Sequence, residues 1–289
     1  MIPFDLQSHS TVSDGELEPA DVVAAAAAAG VELLALTDHD AVDGVDAALA
    51  AGLVHGVRVV PAVELSVVDT AGEGDLHLCG YLIDHHHPEL TQTLMACRAD
   101  RASRADHMAD ALEACGLQVD RAPLHARGAS GTTVGRPHVA RAVLDHPANA
   151  ERLQAEGLHD TGAVIEAYLI YGKPAFVPRP APTMEEGIAL IHECGGLAVW
   201  AHPFWDVDGE DQVRASIDRF AALGLDGVEA FYTTFSESQT RAAVDQCRRR
   251  GLLSTGSADF HGPHHPNFPV FGAFSTYDLE PDLGRIAEV

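Results

Sequence analysis

Short apolar runs alternate with helical stretches at both ends of this chain of 289 residues. Continuous apolar strands separated by helices are typical of a parallel sheet that is buried on both faces. The pattern predicts seven strands, at Ile2–Leu6, Leu33–Leu36, Val57–Val68, Leu76–Ile83, Leu197–Ala201, Gly227–Phe231 and Leu252–Ser257. Seven strands in α/β order predict an incomplete or distorted (β/α) barrel, with an open doubly wound sheet as the structural alternative.

The middle of the chain, from about Glu89 to Glu166, lacks comparable apolar strands and is rich in Ala and Arg. We interpret it as a small, mostly helical insertion domain. The predicted organisation is a first barrel segment over residues 1–88, the insertion over 89–175 and a second barrel segment over 176–289. With 46% apolar residues, the chain can bury the core of one barrel that carries such an insertion.

The chain is strongly acidic, because 43 Asp and Glu residues oppose 18 Lys and Arg residues and give a formal net charge of −25. Most of such a surface repels long nucleic acid. An anionic substrate therefore needs a local positive site. Bound divalent cations can supply that site, because they are often the largest charges in a cluster of ligands.

The five cysteines and the first residues of the chain indicate a cytoplasmic protein. The cysteines are scattered without a close Cys-x-x-Cys pair, so we expect them to be reduced. The N-terminus shows neither the basic nor the apolar region of a signal peptide, and no apolar run approaches the roughly 18 residues of a membrane span. The sequence predicts no membrane association and no protein partner.

Ionisable side chains recur along the predicted strands, two of them within the third and fourth strands and the others at strand ends or shortly afterwards. They are His9, Asp14, His39, Glu64, His77, His202, Asp259 and His261. Strand ends on one face of a barrel converge on a single centre. Imidazoles and carboxylates brought together there are costly to desolvate unless metal ions neutralise them. The pattern therefore predicts a polynuclear metal site.

The types of ligand indicate the chemistry of this site. Nitrogen and oxygen ligands without cysteine suit Mn, Zn or Fe. Glu64 can bridge two ions, because each of its oxygens can bind a different metal. Two ions about 3.5 to 4 Å apart can hold a hydroxide at neutral pH and stabilise both oxygens of a phosphoryl transfer. The ligand set favours hydrolysis of a phosphate ester, and amide hydrolysis on the same metals stays open.

Five short motifs, taken in chain order, resemble those of the polymerase and histidinol phosphatase (PHP) superfamily. They are DLQSHS at 5–10, SDG at 13–15, TDHD at 37–40, AHP at 201–203 and SADFHG at 257–262. GRPH at 135–138 and YGKP at 171–174 resemble insert motifs of its small nucleotide phosphoesterases. The resemblance implies a distorted (β/α)7 TIM-like barrel, two or three divalent metal ions and hydrolysis of a nucleotide phosphomonoester, such as a nucleoside 3′,5′-bisphosphate.

The resemblance also implies how the ligands are shared among the ions. It assigns Asp14, His39 and His261 to one ion, Glu64, His77 and His202 to a second, and His9 and Asp259, with Glu64 shared, to a third. The sequence departs from the family pattern at Gln7, where the family has the first histidine of a His-x-His pair. A neutral amide is a poorer ligand than an imidazole, so the occupancy of the third site is open.

Three residues of the insertion are candidate ligands for a substrate phosphate: Arg136, Lys173 and His138. Arginine makes bidentate contacts with phosphate, whereas lysine acts as a point charge. Two of them have an alternative interpretation, since Arg136 can form a surface ion pair at a helix start and His138 can orient the insertion. For proton transfer, the candidates are His202 and Asp259.

Two other functions compete with hydrolysis of a small phosphorylated metabolite. Some members of the branch trim RNA from its 5′ end, and arginines of the insertion could guide a short RNA. These are Arg98, Arg101, Arg104, Arg121, Arg127, Arg136 and Arg141. The second alternative is a catalytically degenerate PHP binding module, which the substitution at Gln7 makes conceivable.

Overall fold

A computed structural model of the chain describes residues 3–70, 74–178 and 181–289. The chain forms two compact units, one made of residues 1–94 and 182–289 and the other of residues 95–181. The domain limits predicted from the sequence, at 88/89 and 175/176, lie about six residues before these changes of unit and stay a prediction.

The first unit contains a seven-stranded sheet in which the strands follow one another in chain order. The strands are β1 Phe4–Asp5, β2 Leu33–Leu36, β3 Arg58–Asp69, β4 Gly74–Tyr81, β5 Leu197–Trp200, β6 Gly227–Tyr232 and β7 Leu253–Ser257. Beyond the last strand, Leu6 N donates to Gly256 O at 3.2 Å, and Ser8 forms a parallel bridge with Phe260. The sheet therefore nearly closes, which confirms a distorted TIM-like barrel and excludes the open doubly wound alternative.

One strand departs from the parallel sheet that the sequence predicted. β4 runs antiparallel to both β3 and β5, whereas the other neighbouring pairs are parallel. Only residues 70–73 separate β3 from β4, and a parallel crossover needs a dozen residues or more. The short connection forces β4 to fold back on β3.

Helices surround the sheet and fill most of the insertion. They are α1 Pro19–Ala28, α2 Val45–His55, α3 Pro88–Ala114, α4 Ala122–Ala129, α5 Arg136–Leu144, α6 Ala150–Glu156, α7 Thr161–Val164, α8 Met184–Glu193, α9 Pro203–Asp206, α10 Glu210–Ala222 and α11 Glu237–Arg250. Capping boxes begin α8, through Thr183 and Glu186, and α11, through Ser236 and Gln239. Among the described residues, the helices are all too short or too polar to cross a membrane.

Each unit has an apolar core of its own. In the first unit, Leu6, Leu33, Val60, Tyr81 and Val199 belong to one buried cluster to which the strands contribute. In the second unit, side chains of α3 to α7 form a separate cluster that includes Leu112, Val139, Val143, Leu153 and Leu169. The strands and the insertion are thus each held by buried apolar side chains of their own.

Candidate metal centre

The loop after β1 carries the first two candidate ligands, His9 and Asp14. The loop folds back on itself, because Gly15 N donates to Ser10 O at 2.9 Å. A Cβ atom at Gly15 would lie 2.2 Å from the His9 carbonyl oxygen, so only glycine fits this turn. The turn brings Asp14 Oδ1 to 3.8 Å from His9 Nδ1.

The ends of β2 and β3 bring His39 to Glu64. The two residues form a parallel bridge, and His39 Nδ1 lies 3.3 Å from Glu64 Oε2. Beside them, Asp40 accepts hydrogen bonds from Ser66 N and Ser66 Oγ, both at 2.8 Å. Asp40 is in none of the groups of possible metal ligands found among the described residues, so its carboxylate supports the end of β3.

The reversed direction of β4 places His77 at the same centre. His77 pairs in register with Ser66, two residues beyond Glu64, and its Nδ1 lies 2.8 Å from Glu64 Oε1. His202, directly after β5, brings its Nε2 to 3.1 Å from the same oxygen. The other ring nitrogen of His202 lies 3.6 Å from Asp206 Oδ2. Glu64 Oε1 is thus shared by two imidazoles.

The second oxygen of Glu64 belongs to a fully enclosed group with His9 and Asp259. His9 Nε2 lies 3.1 Å from Glu64 Oε2 and 3.0 Å from Asp259 Oδ1. All three atoms are buried, yet within the described part of the chain none of them makes a hydrogen bond. Buried polar atoms of this kind are normally satisfied. Lone pairs that converge without hydrogen bonds suit a shared cation. The three donor atoms are therefore suited to binding a metal ion.

Seven of the eight candidate ligands, all except His202, fall into overlapping groups whose donor atoms lie within 4.8 Å of one another. The groups are His9, Asp14, His39 and His261; His39, Glu64 and His77; and His9, Glu64 and Asp259. Two of these groups differ from the sets that the resemblance implies. The first group also contains His9, and the second contains His39 in place of His202. His202 contacts the second group through Glu64. The groups share ligands, as expected when neighbouring ions are bridged.

The buried carboxylates and imidazoles of the centre compensate one another electrostatically. Burial lowers the pKa of His39 to about 3, so this imidazole is neutral near pH 7. Burial would raise the pKa of Glu64, but the neighbouring imidazoles, His39 foremost, hold it well below its usual range. Burial would lower the pKa of His9, but the carboxylates of Asp259 and Glu64 outweigh this effect and raise it well above its usual range. Without ions, protons on imidazoles balance the carboxylates, and bound cations would replace them.

Asp38, next to the candidate ligand His39, fixes the loop after β1 that carries His9 and Asp14. This role of Asp38 was not predicted from the sequence. Its Oδ1 accepts from Ser10 N at 2.8 Å and from Ser13 Oγ at 2.6 Å. Its Oδ2 accepts from Ser10 Oγ at 2.7 Å. A buried carboxylate directly before a ligand in TDHD was the available signal. The three bonds hold the loop between His9 and Asp14.

Two further acidic residues and a tyrosine hold the other ligands. Glu229, fully buried, accepts from His202 N at 2.8 Å and from the Ser257 hydroxyl, and burial raises its pKa to about 8. Asp5 accepts a hydrogen bond at 3.0 Å from the backbone N of Ala258, which is the residue before Asp259. Tyr232, at the end of β6, donates its hydroxyl to Asp259 Oδ2 at 2.7 Å. The position of Glu229 and Tyr232 on a strand between two ligand-bearing strands was the sequence signal for them.

Gln7 is as buried as His9. Both polar atoms of its side chain make no hydrogen bond to any described residue. The amide therefore occupies an enclosed place where a polar group is costly unless it finds a partner.

The three candidate phosphate ligands lie in the second unit. Arg136 is the first residue of α5, and His138 is the third, with Nδ1 accepting from Gly135 N at 3.0 Å. That bond places the ring proton of a neutral His138 on Nε2, as a donor. Lys173 lies in an exposed turn in which its backbone N donates to Ile170 O at 3.0 Å.

Several arginines that the RNA hypothesis invoked are bonded within the insertion. Arg104 Nε donates to Val177 O at 2.6 Å, and Arg127 Nε donates to Thr133 O at 2.7 Å. Arg121 pairs with Asp110 at 2.7 Å and Glu113 at 2.8 Å. These three arginines hold the insertion together, which leaves a smaller basic surface for RNA than the sequence indicated.

A further group of possible ligands lies at the surface, away from the strand ends. His85 Nε2 donates to Asp46 Oδ1 at 2.9 Å, and His86 Nε2 lies 3.5 Å from the same oxygen. The side chains of Asp46 and His86 are both 69% exposed. Solvent can satisfy such exposed groups without a metal ion.

Comparison with known proteins identifies the family to which the chain belongs. The family model "PHP domain" matches residues 5–115. The chain is 33% identical to a 5′-3′ exoribonuclease of Haemophilus influenzae over 261 residues, 90% of each chain. The chain belongs to the PHP family. A second PHP relative, a 3′,5′-nucleoside bisphosphate phosphatase of Chromobacterium violaceum, is 33% identical over 263 residues, 91% of this chain and 88% of the relative.

A solved structure agrees with the fold of this PHP protein. A protein from Bifidobacterium adolescentis described as a metal-dependent phosphoesterase has a TM-score of 0.79 and 25% sequence identity, and the match covers 96% of this chain and 93% of that one. The fold, the family and the candidate ligands together identify a metal-dependent hydrolase that acts on phosphoric esters. The expectation from the five sequence motifs is confirmed at this level.

Proposed function

We propose that this enzyme removes a phosphate from a small nucleotide, such as a nucleoside 3′,5′-bisphosphate, with two or three divalent Mn, Zn or Fe ions. The observation that carries the proposal is the set of overlapping ligand groups joined by the buried Glu64 carboxylate. The ions would supply the nucleophile and stabilise the charge that develops on phosphorus. One curated relative bears the name of a phosphatase for this class of nucleotide.

The ligands divide the work of holding the ions. Asp14, His39 and His261 would hold one ion, and Glu64 and His77, with His202 beside them, a second. His9 and Asp259, with Glu64 shared, would hold the third. The unsatisfied amide of Gln7 supports a third site that is weaker than the other two, because amides compete poorly with imidazoles for these metals.

His202 is the stronger of the two candidates for proton transfer. One ring nitrogen faces Glu64 and the other lies 3.6 Å from Asp206 Oδ2, so a carboxylate can orient the ring as a proton moves. Asp259 Oδ2 accepts a hydrogen bond from Tyr232, which stabilises its ionised form and makes it a poor acid. Asp259 is better suited to binding metal.

Arg136, His138 and Lys173 are proposed to bind the phosphate oxygens. The first turn of α5 carries the positive end of a helix dipole, which favours an anion. The Arg136 guanidinium and the proton on His138 Nε2 add two donors to that turn. Lys173 would add a point charge.

Hydrolysis of a short RNA from its 5′ end is a second candidate, favoured by the name of the Haemophilus influenzae relative. Contacts with several phosphates would make this activity fall steeply with salt. Removal of a single phosphate should depend on salt much less. Rates at low and physiological salt therefore separate the two functions.

The test is a phosphate-release assay on the protein reconstituted with Mn²⁺. The substrates are adenosine 3′,5′-bisphosphate, simple monophosphates and a short 5′-phosphorylated RNA. We expect the bisphosphate to be preferred, and Arg136→Ala and Lys173→Ala each to raise its KM about tenfold or more. Arg121→Ala, whose arginine pairs within the insertion, is the matched control. If all three variants had the KM of the wild type, the phosphate-binding roles would be rejected. No phosphate release from any substrate would reject the proposed function.

A further inference from the structure

Trp205 is the more exposed of the two tryptophans of the chain. Its side chain is 53% exposed, whereas Trp200 is fully buried. A single exposed apolar side chain is ordinary on a protein surface. Trp205 differs from an ordinary surface residue because its ring is fixed and because it adjoins the candidate metal centre.

Hydrogen bonds and ring contacts fix the indole of Trp205. Its Nε1 donates to Thr234 Oγ1 at 2.8 Å, and its backbone N donates to His202 O at 2.9 Å. The ring centroid lies 5.7 Å from that of Phe268 and 6.3 Å from that of Tyr232. The indole is thus oriented before any ligand arrives, which lowers the entropic cost of binding.

The rings beneath Trp205 lead directly to proposed metal ligands. The Tyr232 hydroxyl donates to Asp259 Oδ2 at 2.7 Å. The Phe268 ring lies 5.5 Å from that of His261. On the chain itself, Trp205 follows His202 by three residues. The exposed indole is therefore separated from the centre by one layer of aromatic side chains.

We propose that the exposed face of Trp205 stacks on the base of a nucleotide whose phosphate is held at the metal centre. The proposal rests on the proposed function and names the part of the substrate that this surface recognises. A flat, uncharged base suits an aromatic surface on a strongly acidic protein. Stacking tolerates every base, because each has a π-face. The enzyme should therefore select for the presence of a base more than for its identity.

The first test compares two substrates that differ only in the base. They are adenosine 3′,5′-bisphosphate and methyl ribofuranoside 3,5-bisphosphate, and the measured quantity is the ratio of their kcat/KM values. We expect Trp205→Ala to lower this ratio about ten- to hundredfold, mainly through the KM of the nucleotide, in line with the measured loss of base stacking. Trp205→Phe should restore most of it, because a phenyl ring also stacks.

Leu53→Ala is the control, since Leu53 is 90% exposed on α2 and should leave the ratio unchanged. Thermal unfolding of each variant shows whether it is folded. A ratio that is the same in Trp205→Ala and the wild type would overturn the proposal, because the indole would then affect both substrates alike.

The second test does not depend on turnover. Adenosine 5′-monophosphate is titrated into the Mn²⁺-loaded protein while tryptophan emission is recorded. We expect quenching in the wild type and none in Trp205→Phe, which retains only the buried Trp200. Ribose 5-phosphate should quench neither protein. Quenching without any phosphate release would support the base site and reject the proposed function, whereas no quenching would reject the base site even in an active enzyme.

Discussion

In the unit formed by residues 1–94 and 182–289, carboxylates and imidazoles meet in the buried interior, whereas in the other unit the ion pairs of Arg121 and Arg152 lie at the surface outside an apolar core. Glu64 and His9 are fully buried at the centre of the first unit. Arg152 and Glu156, a pair of the second unit, are each about one-third exposed. We therefore expect bound cations to contribute to the charge balance of the first unit, whereas the second unit depends on packing.

The difference between the two units indicates which residues serve function and which serve stability. Buried charges without compensation cost several kcal/mol, so a chain retains such a cluster only where ions or substrate repay the cost. Surface pairs contribute little to folding. Changes to the first unit should therefore affect catalysis and metal binding, and changes to the core of the second should affect folding.

Glu64→Ala should have the largest effect, because this carboxylate joins two of the ligand groups. We expect phosphate release to fall about a thousandfold or more, since a bound metal supplies several kcal/mol and each 1.4 kcal/mol or so is a factor of ten. Steady-state kinetics under saturating Mn²⁺ provide the measurement. Glu185→Ala, on the exposed surface of α8, is the control and should retain full activity. Comparable activity in the two variants would place the chemistry elsewhere.

Chelation of metals should loosen the first unit and leave the second unchanged. An ion present at about a thousand times its dissociation constant stabilises the folded state by about 4 kcal/mol. Hydrogen exchange with and without a chelator is the measurement. We expect faster exchange around 9–15, 37–40 and 257–262 and the same exchange over 95–178. Equal protection of the first group in both conditions would contradict the comparison.

Leu112→Ala should destabilise the second unit without changing its metal content. Leu112 is fully buried in the apolar cluster of that unit, and such a truncation costs about 2 to 5 kcal/mol. Denaturant unfolding measures the change. Met95→Ala, at an exposed position of the same helix, should change the free energy of unfolding by less than about 0.5 kcal/mol. A loss of metal in Leu112→Ala would show that the units are coupled.

Glu156→Gln should have the smallest effect, about 0.5 kcal/mol or less at neutral pH, because the pair is largely solvated. The hydroxyl of Tyr168 and the charge of Arg152 lower the pKa of Glu156 below its usual value. The stabilisation is therefore present above the unfolded pKa, about 4.5, and is lost as the pH falls through the folded value. The free energy of unfolding of wild type and variant is measured at pH 7 and pH 3, and we expect the larger difference at pH 7. A larger difference at pH 3 would contradict this pH dependence.

The sequence predicted the strands better than the direction in which they run. Strands such as β2 and β6 matched the expected apolar runs to within one residue, because each run is buried on both faces. The antiparallel course of β4 follows from a connection of four residues, which the apolar pattern does not record. Element boundaries and the barrel were thus accessible from local sequence, and the reversal required attention to loop length.

The candidate ligands were accessible because they recur at strand ends, but their supports were not. His39 stands in a motif, and Asp38 beside it looks the same in sequence although its carboxylate is bonded to Ser10 and Ser13. Glu229 lies outside the sequence motifs, and its partner, the backbone of His202, is brought to it only by the sheet. Bonds between residues far apart in the chain cannot be inferred from local spacing.

The most direct test of the metal centre is the number of ions bound per chain in wild type and Glu64→Ala. Both proteins are purified without chelators, incubated with Mn²⁺, freed of unbound metal and analysed by inductively coupled plasma mass spectrometry. We predict two or three ions per wild-type chain and at most one in the variant, because Glu64 is shared between groups. No ions in the wild type, or equal numbers in both proteins, would contradict a polynuclear centre joined by this carboxylate.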